Sequence, residues 1–143
     1  MIFCDTSTLA KYYIPEKESL KVQPCLEKED QVALSELARI ELMAVFHRRL
    51  RENKWNQKEF TMVIQQFIRD DADGYWKWLP LDEPILKQGA KIFTTLSKEI
   101  FLRSSDCLHL ITATHYQFSE IYTYDRHQSQ VATAFVMIPI SIS

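Results

Sequence analysis

The chain has only two glycines and three cysteines in 143 residues, and its acids outnumber its bases by 19 to 17. Each shortage narrows the field. Scarce glycine, together with 46% hydrophobic and 25% charged residues, sets the chain apart from fibrous and disordered classes and is enough for one ordered core. Cys4, Cys25 and Cys107 are odd in number, widely spaced and lack any C-x-x-C pair, so neither a disulfide framework nor a zinc site is supported. No basic flank precedes an apolar signal-length stretch, and no apolar run is long enough to span a bilayer, so a reducing, cytoplasmic setting is expected. A net charge of -2 excludes a generally cationic surface, so any nucleic-acid contact must be local. The densest basic stretch, His47, Arg48, Arg49, Arg51 and Lys54, reads as either a solvated helix face or a phosphate-facing rim.

Apolar strands alternate with helical patterns along the whole chain. Ile2 to Cys4 reads as a strand running into Asp5-Thr6-Ser7, whose side chains can cap a helix from Leu9 to Tyr13. A helix in the charged stretch Glu16 to Asp30 is expected to break near Pro24, before a strand over Val32 to Leu34. Helical spacing follows from Glu36 to Arg51, with Leu37, Ile40, Ala44, Phe46 and Leu50 as the apolar positions, and again from Gln57 to Arg69. Trp76 to Leu81 reads as an edge strand stopped at Pro80, and Ile85 to Leu96 as a helix. Ser104 or Ser105 can cap a helix from Asp106 to Tyr116, and strands follow at Ile121 to Tyr124 and Phe135 to Ile140. This alternation predicts a single α/β domain over 1–143, a three-layer α/β/α fold with a mainly parallel sheet and its site at the carboxyl ends of the strands.

Four acids fall where that edge should lie. Asp5 and Asp125 each end a strand, and Asp106 sits in the first turn of a helix, so each alone is explained by a cap or a helix dipole. Glu41 is different, because its helical neighbours Leu37, Ala38, Ala44 and Val45 are apolar and place it on a buried face, where an unpaired carboxylate is costly. Two unit charges about 4 Å apart repel by on the order of 4 kcal/mol at an effective dielectric near 20. A converging set therefore needs a cation, and an all-oxygen donor set suits Mg2+ or Mn2+.

The segments Ile-Phe-Cys-Asp-Thr-Ser, Leu-Ser-Glu-Leu-Ala-Arg-Ile-Glu-Leu, Ser-Asp-Cys-Leu-His-Leu and Thr-Tyr-Asp-Arg, in that order and spacing, resemble the PIN-domain family, especially its VapC-like toxins. The resemblance implies a divalent-metal-dependent ribonuclease whose metal-binding and catalytic acids are Asp5, Glu41, Asp106 and Asp125. It also implies that Ser7 holds a carboxylate or water in place beside Asp5. An RNA substrate, a small antitoxin protein and a homodimer are the partners it implies. Cys107 and Thr112 stand where such toxins often have alanine, and the glycine usual before the last strand is absent from Ala132 to Ile140. These departures bear on the subfamily and leave the four acids untouched.

The implied chemistry is metal-assisted phosphodiester hydrolysis by activated water, with one or two ions and no covalent enzyme intermediate. His109, three residues after Asp106, reads as a structural histidine or an orienting one. The same residues leave other readings open: a housekeeping RNA-processing PIN nuclease, a phosphatase with Asp5 as nucleophile, or a non-catalytic interaction module. The phosphatase lacks the second aspartate two residues on, where Ser7 stands. Met43, Phe46, Trp55, Phe60 and Phe67 can form an exposed patch for a partner helix or pack within their own helical hairpin.

Overall fold

The computed structural model describes all residues from Met1 to Ser143. The elements in chain order are β1 (Ile2–Phe3), α1 (Thr6–Tyr13), α2 (Ser19–Glu27), β2 (Val32–Ser35), α3 (Leu37–Arg51), α4 (Gln57–Ala72), β3 (Trp76–Leu79), α5 (Glu83–Thr95), α6 (Ser104–His115), β4 (Glu120–Tyr122), α7 (Arg126–Ala132) and β5 (Ile138–Ile140). All strand pairs are parallel, β1 with β2, β2 with β3, and β4 with β5. One bridge, Cys4 to Tyr122, joins the two groups, so the strands run in the order β3-β2-β1-β4-β5. The order reverses between β1 and β4, and open α/β sheets place their sites at such a switch point, beyond the carboxyl ends of the strands.

Two buried clusters cover opposite faces of the sheet. Val32, Leu34 and Cys4 pack with Leu9, Tyr13, Ala38, Leu42, Phe46 and Trp76, whereas Phe3 and Ala33 pack with Leu102, Leu110, Ala113 and Ile121. Every residue of β2 is buried, which is why it reads as an unbroken apolar run instead of an alternation. The sheet is therefore the middle layer of an α/β/α sandwich, as expected. At its two edges, β3 exposes Lys77 and is followed by Pro80, while β5 contains Pro139. No helix is long and apolar enough to cross a membrane.

Several local expectations are corrected. Pro24 lies inside α2 without breaking it. The hydrogen bond it forfeits is to the carbonyl of Leu20, on an exposed face where water can serve it. α6 begins at Ser104, with Arg103 as its N-cap and no side-chain cap bond, so neither serine caps it. α7 was not expected, and Asp125 caps it by accepting from the Gln128 N–H at 3.1 Å. The last strand is shorter than expected, because Thr133–Phe135 forms a 3-10 turn.

The buried stripe of α3 is Ala38, Leu42 and Phe46, whereas Ile40 is exposed. Phe46, Trp55 and Phe67 are buried, and Met43 and Phe60 pack partly buried against the same core. The hairpin aromatics therefore fill their own core and form no open patch. Phe46 anchors the helix that carries Glu41. Phe46→Ala is expected to destabilise the protein by about 3–5 kcal/mol, read from the midpoint of urea unfolding; a loss under about 1 kcal/mol would show that α3 is held by other contacts.

Candidate active site

Asp5, Glu41, Asp106 and Asp125 line one cleft of about 140 Å³, together with Thr6, Ser7, Arg103, Ser105 and His109, with no hydrophobic residue among them. Asp5 follows β1, Asp125 follows β4, Asp106 is in the first turn of α6 and Glu41 is one turn into α3. Acids separated by up to 120 residues thus meet beyond the switch point of the sheet. Larger clefts elsewhere on the surface do not contain this set.

Asp5 is buried and fully engaged. Its Oδ1 accepts from the Ser7 hydroxyl at 2.6 Å and from the Thr8 N–H at 3.3 Å, and its Oδ2 accepts from the Thr123 hydroxyl at 2.5 Å. Burial pushes its pKa up, and His109 together with these hydrogen bonds offsets only part of the rise. The Ser7 oxygen also accepts from the backbone N–H groups of Tyr124 and Asp125, at 2.8 and 3.2 Å, so one hydroxyl ties the two strand ends together.

Glu41 lies at the margin of the buried face, with its side chain 31% exposed. Its Oε1 accepts from the Thr6 hydroxyl and faces His109 Nε2, both at 2.6 Å. Burial alone raises the Glu41 pKa, but His109, Thr6 and Arg103 outweigh it and hold the carboxyl below its usual value. For the buried His109 ring, burial favours the neutral form, yet Glu41, Asp5 and Asp106 more than compensate and raise its pKa. His109 is thus a built-in counter-ion for the cleft.

Arg103 is the second cation. Its Nε and Nη2 donate to Asp106 at 2.6 and 3.3 Å, and Nη2 also donates to Asp125 at 3.0 Å. For Asp125 burial raises the pKa, but the Gln128 N–H and Arg103 prevail and lower it. Arg103, Thr6 and Thr123 were not singled out in the sequence. The available signals were the i, i+3 spacing of Arg103 to Asp106 and the threonine two residues before Asp125.

Four oxygen-donor carboxylates on a polar cleft, two of them hydrogen-bonded by hydroxyls, have the donor chemistry of a hard divalent cation. In the conformation described, no three acids, histidines or cysteines converge closely enough to hold a metal, and protein cations stand between them instead. At Asp106 the repulsion among the acids is offset by its pairing with Arg103.

A doubly wound parallel α/β sandwich with four acids gathered at its switch point is the class that fold and site define. The PIN domain model matches residues 2–134, so the chain belongs to the PIN-domain family, which is a family of nucleases. Solved structures share the fold at low sequence identity. The sarcin-ricin loop cleaving toxin VapC20 of Mycobacterium tuberculosis is 14% identical with a TM-score of 0.70, covering 92% of this chain and 95% of that one. FitAcB of Neisseria gonorrhoeae is 19% identical with a TM-score of 0.74, covering 98% and 96%. VapBC2 of Rickettsia felis, bound to a DNA fragment from its promoter, is 13% identical with a TM-score of 0.67, covering both chains fully. No curated protein sequence matches the chain.

The His109–Glu41 pair gives a pH signature. A histidine raised on folding contributes stability fully present below its unfolded value of about 6.5 and lost as pH rises through the higher folded value. In chelator, the melting temperature is expected to fall as pH rises above about 6.5, and Glu41→Gln should flatten that fall. Equal slopes in both proteins would show that the pair carries no proton linkage.

Proposed function

We propose that the chain is a divalent-metal-dependent endoribonuclease and the toxin of a type II toxin-antitoxin pair. The observation that carries this reading is that Asp5, Glu41, Asp106 and Asp125 all line one wholly polar cleft of a PIN domain. These four residues would hold Mg2+ or Mn2+, which when bound acidifies water for attack on phosphorus and stabilises the departing oxyanion. The protein's own part is orientation. Ser7 and Thr8 hold Asp5 by Oδ1 and Thr123 holds it by Oδ2, which keeps acceptor capacity for a cation, and Thr6 and His109 hold Glu41 by Oε1, leaving Oε2 with no protein partner.

RNA as substrate is supported by a second cleft of about 420 Å³ that shares Ser7 with the acidic one. It is lined by Lys11, Arg48, Arg49 and Lys54 against only Glu16 and Glu52. Part of the basic stretch at the end of α3 thus faces the site as a rim, a local excess that the net charge of -2 conceals. Lys11 and Arg48 are paired with Glu16 and Glu52 at 2.7 and 2.6 Å, while Lys54 has no carboxylate partner. Phosphates exchange for such carboxylates at modest cost, because exposed ion pairs contribute little.

The phosphatase reading is weakened by Asp5 itself: a buried carboxylate with both oxygens accepting hydrogen bonds is a poor nucleophile. The solved relatives FitAB and VapBC2 bound to DNA, and a toxin-antitoxin complex from Klebsiella pneumoniae, support a small antitoxin as partner. The homodimer rests on the family resemblance alone.

Purified protein should cut RNA with Mg2+ or Mn2+ and stop in chelator, and Asp5→Asn or Asp106→Asn should abolish cleavage. Full cleavage by either variant would sink the reading. Growth arrest on expression, absent in Asp5→Asn and relieved by a co-expressed neighbouring small protein, separates a toxin from a housekeeping nuclease. For RNA binding measured in chelator, Arg48→Gln combined with Lys54→Gln should reduce the salt slope by about 1.4, as two lost phosphate contacts on a single strand require; an unchanged slope would place the RNA elsewhere.

A further inference from the structure

Arg103 stands in a position that neither the fold nor the four-acid reading requires. It is the N-cap residue of α6 and makes no cap bond with its side chain. Its guanidinium is instead turned into the cleft, forked on Asp106 and joined to Asp125 Oδ2. Two carboxylates, one from the first turn of α6 and one from the end of β4, are thereby clamped by one side chain. Arg103 is itself 44% exposed, against 7% for Asp106, so its route back to solvent is open. His127 stands beside this clamp, with its Nε2 3.6 Å from Asp106 Oδ2 and its ring packed on Phe101. Thr6 and His109 direct their hydrogen bonds to Glu41 and not to Asp106 or Asp125.

We infer that Arg103 is an exchangeable internal counter-ion, which holds Asp106 and Asp125 together when no divalent cation is bound and yields both carboxylates when one arrives. This rests on the reading of the acids as a metal site and deepens it. A guanidinium donates along two parallel bonds and stays charged at every working pH, so it is a close electrostatic substitute for a metal at two carboxylates. It also competes with one, because the oxygens it occupies are those a cation needs. Once displaced, it remains tethered at the rim of the cleft beside the acids, where its fork matches a phosphodiester. The same side chain then serves the substrate.

The sign of the effect on metal binding separates this role from a merely structural one. If Arg103 only held α6 in place, removing it would loosen the site and weaken metal binding. If it competes, removing it tightens binding. Mn2+ affinity of the intact protein, followed by electron paramagnetic resonance, should rise tenfold or more in Arg103→Gln. Arg103→Lys, which keeps the charge without the fork, should fall between the two. In chelator, Arg103→Gln should melt lower than the natural protein, since Asp106 and Asp125 lose their shared partner. With saturating Mn2+, the KM for a short RNA should rise while kcat is held. Unchanged or weaker Mn2+ binding by Arg103→Gln overturns the proposal, and an unchanged KM overturns its substrate half. Asp5→Asn run alongside tests the metal site itself: natural protein that binds Mn2+ no better than Asp5→Asn overturns the four-acid reading, whatever Arg103 does.

Discussion

The join between β1 and β4 is the constraint on which the rest depends. Only one bridge, Cys4 to Tyr122, links the two groups of strands, and the bonds that reinforce it converge on a single carbonyl. The Asp5 N–H and the Thr8 hydroxyl both donate to Tyr122 O, at 3.1 and 2.9 Å. Directly beyond, Ser7 and Thr123 lock the Asp5 carboxylate against the end of β4. Here a buried acid is part of the seam of the fold, and the chemistry is built onto the seam. The Asp5 wall of the cleft cannot move without opening the sheet, which gives that part of the site its rigidity.

Gathering acids on such a seam raises an electrostatic problem that the chain solves in two ways. At Asp5 neutral hydroxyls share the charge, and burial keeps its pKa raised. Around Glu41, Asp106 and Asp125 the solution is ionic, with His109 on one side and Arg103 on the other. The difference in exposure between the two cations is functional. Histidine is locked inside and orients one carboxylate permanently, whereas arginine is half in solvent and can leave.

Much of this was legible in the sequence because strand-to-helix corners have a strong local signature. Asp5, Asp106 and Asp125 stand at element ends, and their positions follow once the alternation of strands and helices is read. Glu41 was legible from its apolar neighbours. What escaped was contact between distant segments: His109 was read as structural or orienting with no partner attached, because nothing local links it to Glu41, 68 residues away. Pro24 misled because its cost depends on whether the orphaned carbonyl faces water, a tertiary fact. Helix α7 was missed because its short Arg-His-Gln-Ser-Gln run lacks apolar periodicity and is held by the Asp125 cap.

The edges of the sheet bear on how other molecules can meet this protein. β5 carries Pro139 within the strand, and β3 exposes Lys77 and ends at Pro80. A proline offers no N–H to an incoming backbone, and an edge lysine would be stranded beside one. Strand addition is therefore discouraged at both ends, which guards against runaway edge-to-edge assembly in a crowded cell. Recognition is left to side chains on helices and to the mouth of the acidic cleft, so a partner must meet this protein through shape and charge and not by extending its sheet.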